Sequence, residues 1–287
     1  MLVTGSRGRL AALVAAHFRT TVPDLTLFSR RGGGGFRPLA DLPVSLAGGG
    51  VMLHLAWSTL PATSEKGAGA EWQADLPELE KLLQLIAAQP AAMRPHLVFF
   101  SSGGTVYGNA PGRPSVESDP LRPIGWYGRA KAAAEEMIAA HAARHDLPCT
   151  VLRVSNPYGY PVPRERVQGV IPHAIRSARE SSPLTLWGDG HARKDFIFYT
   201  DFLSALDEVV KRRPPGTYNV CAGESHSVHE IISLVEKHTG KKIPTTRIEA
   251  PAWDVQDSRL DNRRFVSLTG WGPKVSLDDG IARSIAS

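Results

Sequence analysis

The sequence predicts an α/β protein built on a doubly wound parallel sheet, and three observations carry that prediction. Short apolar runs recur at Met1–Val3, Leu25–Phe28, Val51–Trp57, His96–Phe100 and Cys149–Val154. Between them lie stretches whose apolar residues repeat at helical spacing, and strands alternating with helices spell a parallel sheet with helices on its faces. The first run also passes directly into a glycine turn and then a helix, the order in which such sheets build a phosphate-binding turn.

Taken in order, Met1–Val3 ends a strand. Thr4-Gly5-Ser6-Arg7-Gly8-Arg9-Leu10-Ala11 follows, and Leu10, Leu13, Val14 and Phe18 mark one helical face. Gly5 permits a tight turn, Gly8 lets a pyrophosphate approach the backbone, and Ala11 lets the helix pack closely on the strand. The second strand ends in Ser29-Arg30-Arg31 and a glycine tract from Gly32 to Gly35. In a dinucleotide fold this strand end meets the adenosine ribose, where a carboxylate selects NAD and arginine accommodates the 2′-phosphate of NADP. A hydroxyl and two guanidiniums without a carboxylate favour NADP, and charge-assisted bonds of about 1.5–3 kcal/mol each would make the preference large. The plainer alternative is a solvated basic loop.

A turn at Asp41-Leu42 precedes the buried run Val51–Trp57, where His54 reads as a packing or backbone-bonding residue. A helix is expected from about Glu71 to Ala88, with Leu76, Leu79, Leu82, Leu83 and Ile86 on its core side and Pro77 in its first turn. His96–Phe100 ends in the hydroxyl-rich Ser101-Ser102-Gly103-Gly104-Thr105. Gly125 then opens a helix carrying Tyr127 and Lys131, followed by the strong helix formers Ala132-Ala133-Ala134-Glu135-Glu136-Met137. The strand Cys149–Val154 ends in a polar turn, Ser155–Gly159. A Pro- and Arg-rich loop, a helix from about Val170 to Arg179, a turn at Trp187–Gly190, a strand at Tyr218–Cys221 and a helix at Val228–Thr239 complete the reading.

Composition narrows the function. The net charge of +5 in 287 residues comes from scattered Lys and Arg with Asp and Glu interleaved, and no basic stripe with aromatics points to nucleic acid. Cys149 and Cys221 lie far apart in apolar runs, the pattern of two buried thiols in a reducing compartment. No run approaches the roughly 18 apolar residues of a membrane span, and the N-terminus enters a structural motif at once. The expectation is a cytoplasmic protein with no signal peptide and no membrane or nucleic-acid partner. His141 and His145 are four apart on the Tyr127 helix, but no third ligand accompanies them and no metal is expected.

Tyr127 and Lys131 are also four apart, stacked on one helix face about 6 Å along the axis. Neither group is a base at neutral pH unperturbed. An adjacent ammonium favours the phenolate. Lowering the phenol by about three pH units, roughly 4 kcal/mol of differential interaction, would make Tyr127 a proton carrier at an alcohol or sugar hydroxyl.

The motifs TGSRGRLA, HLAW, SSGGTVYG, YGRAK, LRVSNPYG, GDGHARKDF with YTDF, YNVCAG and TGWGP, in this order, resemble the extended short-chain dehydrogenase/reductases in their nucleotide-sugar epimerase/dehydratase branch. The resemblance implies a Rossmann-type dinucleotide-binding domain over 1–156, with 195–225 returning to it, and a smaller α/β substrate-binding domain mainly over 157–287. It implies Tyr127 as acid/base, with Lys131 on the nicotinamide ribose and tuning Tyr127. Cofactor contacts would fall on Gly5, Ser6, Arg7, Gly8, Arg9, Leu10, Ser29, Arg30, Arg31, Asp41, Leu42, Leu55, Ala56, Trp57 and Ser101. A nucleotide-diphospho-sugar would meet Asn156, Val170, Arg193, Lys194 and Arg259, and a homodimer is implied.

This chain departs from the pattern in four places. Gly103 stands where the family has its catalytic Ser or Thr, which leaves Thr105 first and Ser102 second as the replacement hydroxyl, unless both merely bond the backbone of the turn. Gly104-Thr105 replaces the Asp-Glu pair of the 4,6-dehydratases, which argues against dehydration. Lys194 replaces an Arg before Asp-Phe and offers charge without a bidentate fork. Pro251 stands near the place of a late diphosphate-clamping Arg, for which Arg259 or Arg247 would compensate. The leading reading is 4-epimerisation of a nucleotide sugar through a 4-keto intermediate. NADPH-dependent reduction of a nucleotide 4-keto sugar comes second and a non-catalytic dinucleotide-binding protein third, and substrate choice is assigned to loops such as 161–168.

Overall fold

The apolar rhythm of the sequence becomes the element order. In a computed structural model that describes residues 1–46, 48–110, 112–161 and 168–286, β1 (Leu2–Thr4) leads into α1 (Arg9–Phe18) and β2 (Thr26–Ser29). A two-residue β3 (Arg37–Pro38), α2 (Leu42–Leu46), β4 (Val51–His54) and α3 (Pro61–Lys66) follow. Then come α4 (Asp75–Ala87), β5 (His96–Ser102), α5 (Trp126–His145), β6 (Cys149–Val154), β7 (Asn156–Tyr158) and α6 (Val170–Glu180). The chain continues through β8 (Leu184–Trp187), β9 (Arg193–Phe198), α7 (Tyr199–Arg212), β10 (Gly216–Val220), β11 (Ser225–Ser227) and α8 (Val228–Thr239). It closes with β12 (Thr245–Ile248), β13 (Asp257–Ser258), α9 (Arg263–Thr269) and α10 (Leu277–Ala286).

Local chemistry explains the boundaries. The run of alanines after Lys131 favours a 20-residue α5, which stops at Asp146 in the left-handed conformation with Arg144 and His145 in its last turn. Ser227 and Glu230 form a reciprocal capping box at the start of α8, and Gly240 ends it. The helix expected from Glu71 begins at Asp75 instead, because residues Ala70–Trp72 form a separate 3-10 turn. Its five predicted core residues are all buried. The polar turn expected after β6 contains a strand, β7, which pairs in parallel with β9. Proline in that segment masked the signal, since proline weakens any strand prediction.

The chain divides into two compact units. The first gathers Met1–Ser102, Gly125–Arg153 and Leu206–Tyr218. Its seven-stranded sheet has the order β10-β6-β5-β4-β1-β2-β3, with β1 parallel to both β2 and β4. The chain builds outward from β1 in one direction and then returns to its other side, so the strand order reverses between β1 and β4. Phe28, Met52, Leu83, Leu97, Phe99 and Ile138 anchor its core, each contributing about 1.5–3 kcal/mol by leaving water. Among the described residues no helix is long and apolar enough to cross a membrane.

The second unit gathers Gly103–Ile124, Val154–Ala205 and Asn219–Ser287. Strands β7, β11 and β13 all pair with β9, and β8 pairs with β12. The division corrects the sequence boundaries. Residues 103–124 belong here because Ala110 N donates to Asp257 O at 2.7 Å, Ser115 N donates to Arg259 O at 2.9 Å and Asn219 Nδ2 donates to Ser115 O at 3.0 Å. Of the segment 195–225 expected to return to the first unit, only 206–218 does.

Candidate active site

In the first unit, the turn after β1 is shaped by backbone crowding. Gly5 has φ of +73°, and a Cβ there would lie 2.5 Å from Ala56 N and 2.6 Å from Ala56 Cα, so only glycine fits. That contact brings the end of β1 against the residues after β4, at the point where the strand order reverses and α/β sheets bind ligands. α1 starts at Gly8 with no side-chain cap and no acid in its first turn, and Ala11 is fully packed. The positive end of the helix dipole therefore meets neither a capping side chain nor an acid there. A bare helix start beside a glycine that admits no side chain fits the pyrophosphate of a dinucleotide. Ser6 plays a narrower part than expected. Its hydroxyl donates to Val3 O at 2.9 Å, which fastens the turn and turns the side chain inward.

The end of β2 carries a guanidinium, and it comes from the glycine turn. Arg7 Nε donates to Ser29 Oγ at 3.3 Å, Nη2 donates to Gly32 O at 2.7 Å, and the group lies 5.2 Å from the Phe36 ring centre. Arg30 and Arg31 are exposed. Asp41 lies 3.6 Å from Arg37, and the Leu42 side chain is buried in the core, which leaves only its backbone for a ligand.

Tyr127 and Lys131 sit on the first two turns of α5. Lys131 is enclosed: Nζ donates to Phe100 O at 2.8 Å and lies 3.6 Å from the Trp57 ring centre, 4.7 Å from that of Phe99 and 5.8 Å from that of Tyr127. Burial lowers Lys131 to about 7, against the raising effect of Asp75, Glu135 and Glu71. The expectation that Lys131 lowers the Tyr127 phenol is not met here. Burial first, then the charges of Glu71 and Asp75, push the phenol above its ordinary range. His54 is a packing residue, as expected. Its Nδ1 pairs with Thr4 Oγ1 at 2.8 Å, its ring stacks on Phe99, and burial lowers it to about 3.

Beneath this pair lies a buried ionic network. Arg153, on β6, contacts Glu135, on α5, through Nε at 3.0 Å and Nη2 at 2.7 Å, and the Ser101 hydroxyl donates to the same carboxylate. Ser101, expected at the cofactor, thus has its hydroxyl committed to the support of α5. Ser102 lies half-buried at the end of β5. Arg9, Leu10, Leu55 and Ala56 are partly exposed around the glycine turn.

The second unit holds the remaining predicted residues. Gly103 N donates to Val154 O at 2.9 Å. Thr105 Oγ1 is enclosed and has no hydrogen-bond partner among the described residues, so this hydroxyl does not serve the turn. Asn156 Nδ2 donates to Asp195 O at 2.7 Å. Val170 packs on the core at the start of α6. The three expected anion-binding cations each have a carboxylate partner: Arg193 with Glu230 at 3.2 Å, Lys194 with Asp254 at 3.0 Å and Arg259 with Asp257 at 2.7 Å. Within the loop assigned to substrate choice, residues 162–167 lie outside the described residues. His141 pairs with Glu80 at 3.0 Å, and both cysteines are free thiols.

The sequence reading missed Glu71 and Asp75, the Glu135–Arg153 pair and the stacking of Trp57 on Lys131. Two signals were available. Arg153 interrupts the apolar run of β6, and Glu135 lies four residues beyond Lys131 on the same helix face.

The parallel sheet, the glycine turn at its reversal point and the Tyr127–Lys131 helix define a Rossmann-type dinucleotide-binding α/β protein. Residues 1–221 match the NAD dependent epimerase/dehydratase family, and the chain belongs to it. Over 208 residues it is 30% identical to a UDP-glucose 4-epimerase of Mycolicibacterium smegmatis, covering 69% of this chain and 64% of that protein. Over 192 residues it is 31% identical to a dTDP-4-dehydro-6-deoxyglucose reductase of Escherichia coli, covering 67% of this chain and 60% of that one. The matches thus span less than two thirds of either relative's length. The UDP-glucose 4-epimerase of Thermus thermophilus, crystallised with NAD, shares the fold with a TM-score of 0.87 at 22% identity, covering 99% of this chain and 97% of that one.

Proposed function

We propose that the protein catalyses NAD(P)-dependent oxidoreduction at a carbon of a nucleotide-diphospho-sugar, with 4-epimerisation through a 4-keto intermediate as the leading reaction. The observation that carries this reading is the Tyr127–Lys131 pair on α5, in the unit that also holds the bare N-terminus of α1. Gly5, Gly8, Arg9 and Leu10 would hold the pyrophosphate, and Arg7 with Ser29 would meet the adenosine ribose. Bound there, the cofactor supplies or accepts the hydride. Tyr127 takes the proton of the sugar hydroxyl or returns it to the keto oxygen, and Lys131 orients the ribose. Thr105, whose hydroxyl lacks a partner among the described residues, is assigned the hydrogen bond to the sugar oxygen, and Asn156 a contact to the substrate.

A second reading, reduction of a nucleotide 4-keto sugar by NADPH, has its own support. Arg7 places a guanidinium on Ser29, where the family's NAD-binding members use a carboxylate. A phenol held protonated is also suited to give its proton to a keto oxygen. The curated reductase relative points the same way.

The test separates the two readings. Purified protein is titrated with NAD and NADP, beside Arg7→Ala and Arg30→Ala/Arg31→Ala variants, then incubated with UDP- and dTDP-hexoses and their 4-keto derivatives. Epimerisation predicts tight NAD binding and interconversion of C4 epimers. Reduction predicts an NADP preference that the arginine variants lose. Either reaction predicts that Tyr127→Phe lowers turnover by a factor of about 10²–10⁴. Full turnover by Tyr127→Phe rejects both.

A further inference from the structure

Trp57, just beyond β4, lays its ring over Lys131. Nζ lies 3.6 Å from the centre of the indole, well within the roughly 6 Å at which a ring face attracts an ammonium. Phe99 meets the indole edge-on with ring centres 6.0 Å apart, and the Phe100 carbonyl accepts a hydrogen bond from Nζ at 2.8 Å. The result is an enclosed amine, and Lys131 is 4% exposed. Of the groups placed around Nζ, Phe99 and Phe100 are buried in β5, and only Trp57 and Tyr127 reach the surface. A hydroxyl approaching Nζ from solvent therefore meets the indole or the phenol first, and the indole is the nearer of the two.

This cover is costly to both partners. Trp57 Nε1 is enclosed with no hydrogen-bond partner among the described residues, although a buried indole N–H ordinarily finds one. Burial also lowers Lys131 to about 7. One movement relieves both costs, rotation of the indole off the amine. The backbone on either side confines that movement to the side chain. Before Trp57, the chain packs against Gly5 so closely that an added Cβ there would lie 2.5 Å from Ala56 N and 2.7 Å from Leu55 C. After it, Ser58 donates to Asp75 through N at 3.0 Å and through Oγ at 2.6 Å. Trp57 thus stands between two fastened residues, and its ring is free to turn only about its own side-chain bonds.

We propose that Trp57 is a gate over Lys131: the indole covers the amine in this structure, and a nucleotide whose ribose reaches Lys131 displaces it. The proposal rests on the assignment of Lys131 to the nicotinamide ribose above and deepens it, because the same ring sets how readily the nucleotide engages the site. With the gate closed, only the open fraction of the protein is competent, and association and apparent affinity are reduced by that fraction.

Protein labelled with 5-fluorotryptophan reads the ring directly. The Trp57 ¹⁹F signal is assigned by its loss in Trp57→Phe and followed during titration with ADP, ADP-ribose, NAD and NADP, with occupancy measured by calorimetry. ADP lacks the second ribose and should leave the signal in place, whereas the other three should move it in step with occupancy. Trp57→Leu removes the covering ring and stays apolar against Phe99. Its association with NADH or NADPH, read from the nucleotide's own fluorescence, should be about threefold or more faster than that of the native protein. A Trp57 signal that stays in place when NAD or NADP is bound, one that moves equally with ADP, or a Trp57→Leu protein that associates no faster overturns the gate. If Trp57→Leu does not fold, the labelled native protein still decides the matter. A protein that binds none of these nucleotides rejects the assignment of the site and the gate with it, whereas binding with an unmoved Trp57 signal rejects the gate alone.

Discussion

Arg153→Met separates the two roles of a buried ion pair. Glu135 and Arg153 are 7% and 6% exposed, and three contacts between 2.7 and 3.2 Å join them. Methionine roughly preserves the apolar part of the arginine but leaves the Glu135 carboxylate enclosed with the Ser101 hydroxyl as its remaining partner in this network. Breaking a buried pair in this way costs about 3–5 kcal/mol. That is from about a fifth to the whole of the roughly 5–15 kcal/mol by which domains are stable, and it lowers Tm by roughly 6–20 °C in a chain of this size. Replacing both residues, as Glu135→Leu/Arg153→Met, removes the stranded charge and should recover most of the loss, less about 1–3 kcal/mol for the unbonded Ser101. Urea unfolding followed by far-UV circular dichroism at neutral pH measures the cycle, with the exposed pair Arg176–Glu180 as a control worth about 0–1 kcal/mol. If Arg153→Met costs no more than that control, or if the double variant is less stable than Arg153→Met, the argument from enclosed charge is wrong.

Two other outcomes follow from the same geometry. Gly5→Ala forces a Cβ to 2.5 Å from Ala56 N and a side chain into a positive φ, at about 1–2 kcal/mol for the conformation and about 1–3 kcal/mol for the crowding. Its urea midpoint should fall and its affinity for NAD or NADP should drop with it; unchanged binding would show that the turn is not the phosphate cradle. Burial lowers His54 to about 3 and His96 to about 4, while the unfolded chain protonates near 6.5. Stability is therefore complete above pH ~6.5 and falls by about 1.4 kcal/mol per pH unit for each imidazole as the pH drops toward those values. Urea midpoints measured from neutral to mildly acidic pH should show this slope, and His96→Gln should flatten it.

What the sequence disclosed was local. Glycines at a strand–helix junction, a Tyr and a Lys one helical turn apart and the core face of α4 are all read from spacing, and the structure places each as expected. What escaped depended on partners distant in the chain. Lys131 was read against Tyr127 alone, whereas burial, and after it the charges of Glu71 and Asp75, reverse the expected effect on the phenol. The contact of Arg7 with Ser29 escaped for the same reason. The position of Arg7 in the turn was visible, but its reach to Ser29 depends on β1 and β2 lying side by side. The anion-binding role expected of Arg193, Lys194 and Arg259 came from the family resemblance, and nearby carboxylates pair with all three in this structure.

The order in which the two units draw on the chain also bears on how the protein is made. The first unit is complete only when Leu206–Tyr218 has been synthesised, because β10 forms one edge of its sheet. The second has by then contributed two of its three segments and still lacks Asn219–Ser287. Neither unit is a contiguous stretch that a ribosome could release for folding while the next is translated. β6 must emerge with its β10 flank uncovered and wait for about 60 further residues, at the usual ~5–20 residues per second several seconds, before its neighbour exists. An exposed apolar strand edge over that interval is a template for pairing with other chains. The stage at which the nascent chain carries this uncovered edge can be named: after Val154 has left the ribosome and before Val220 has.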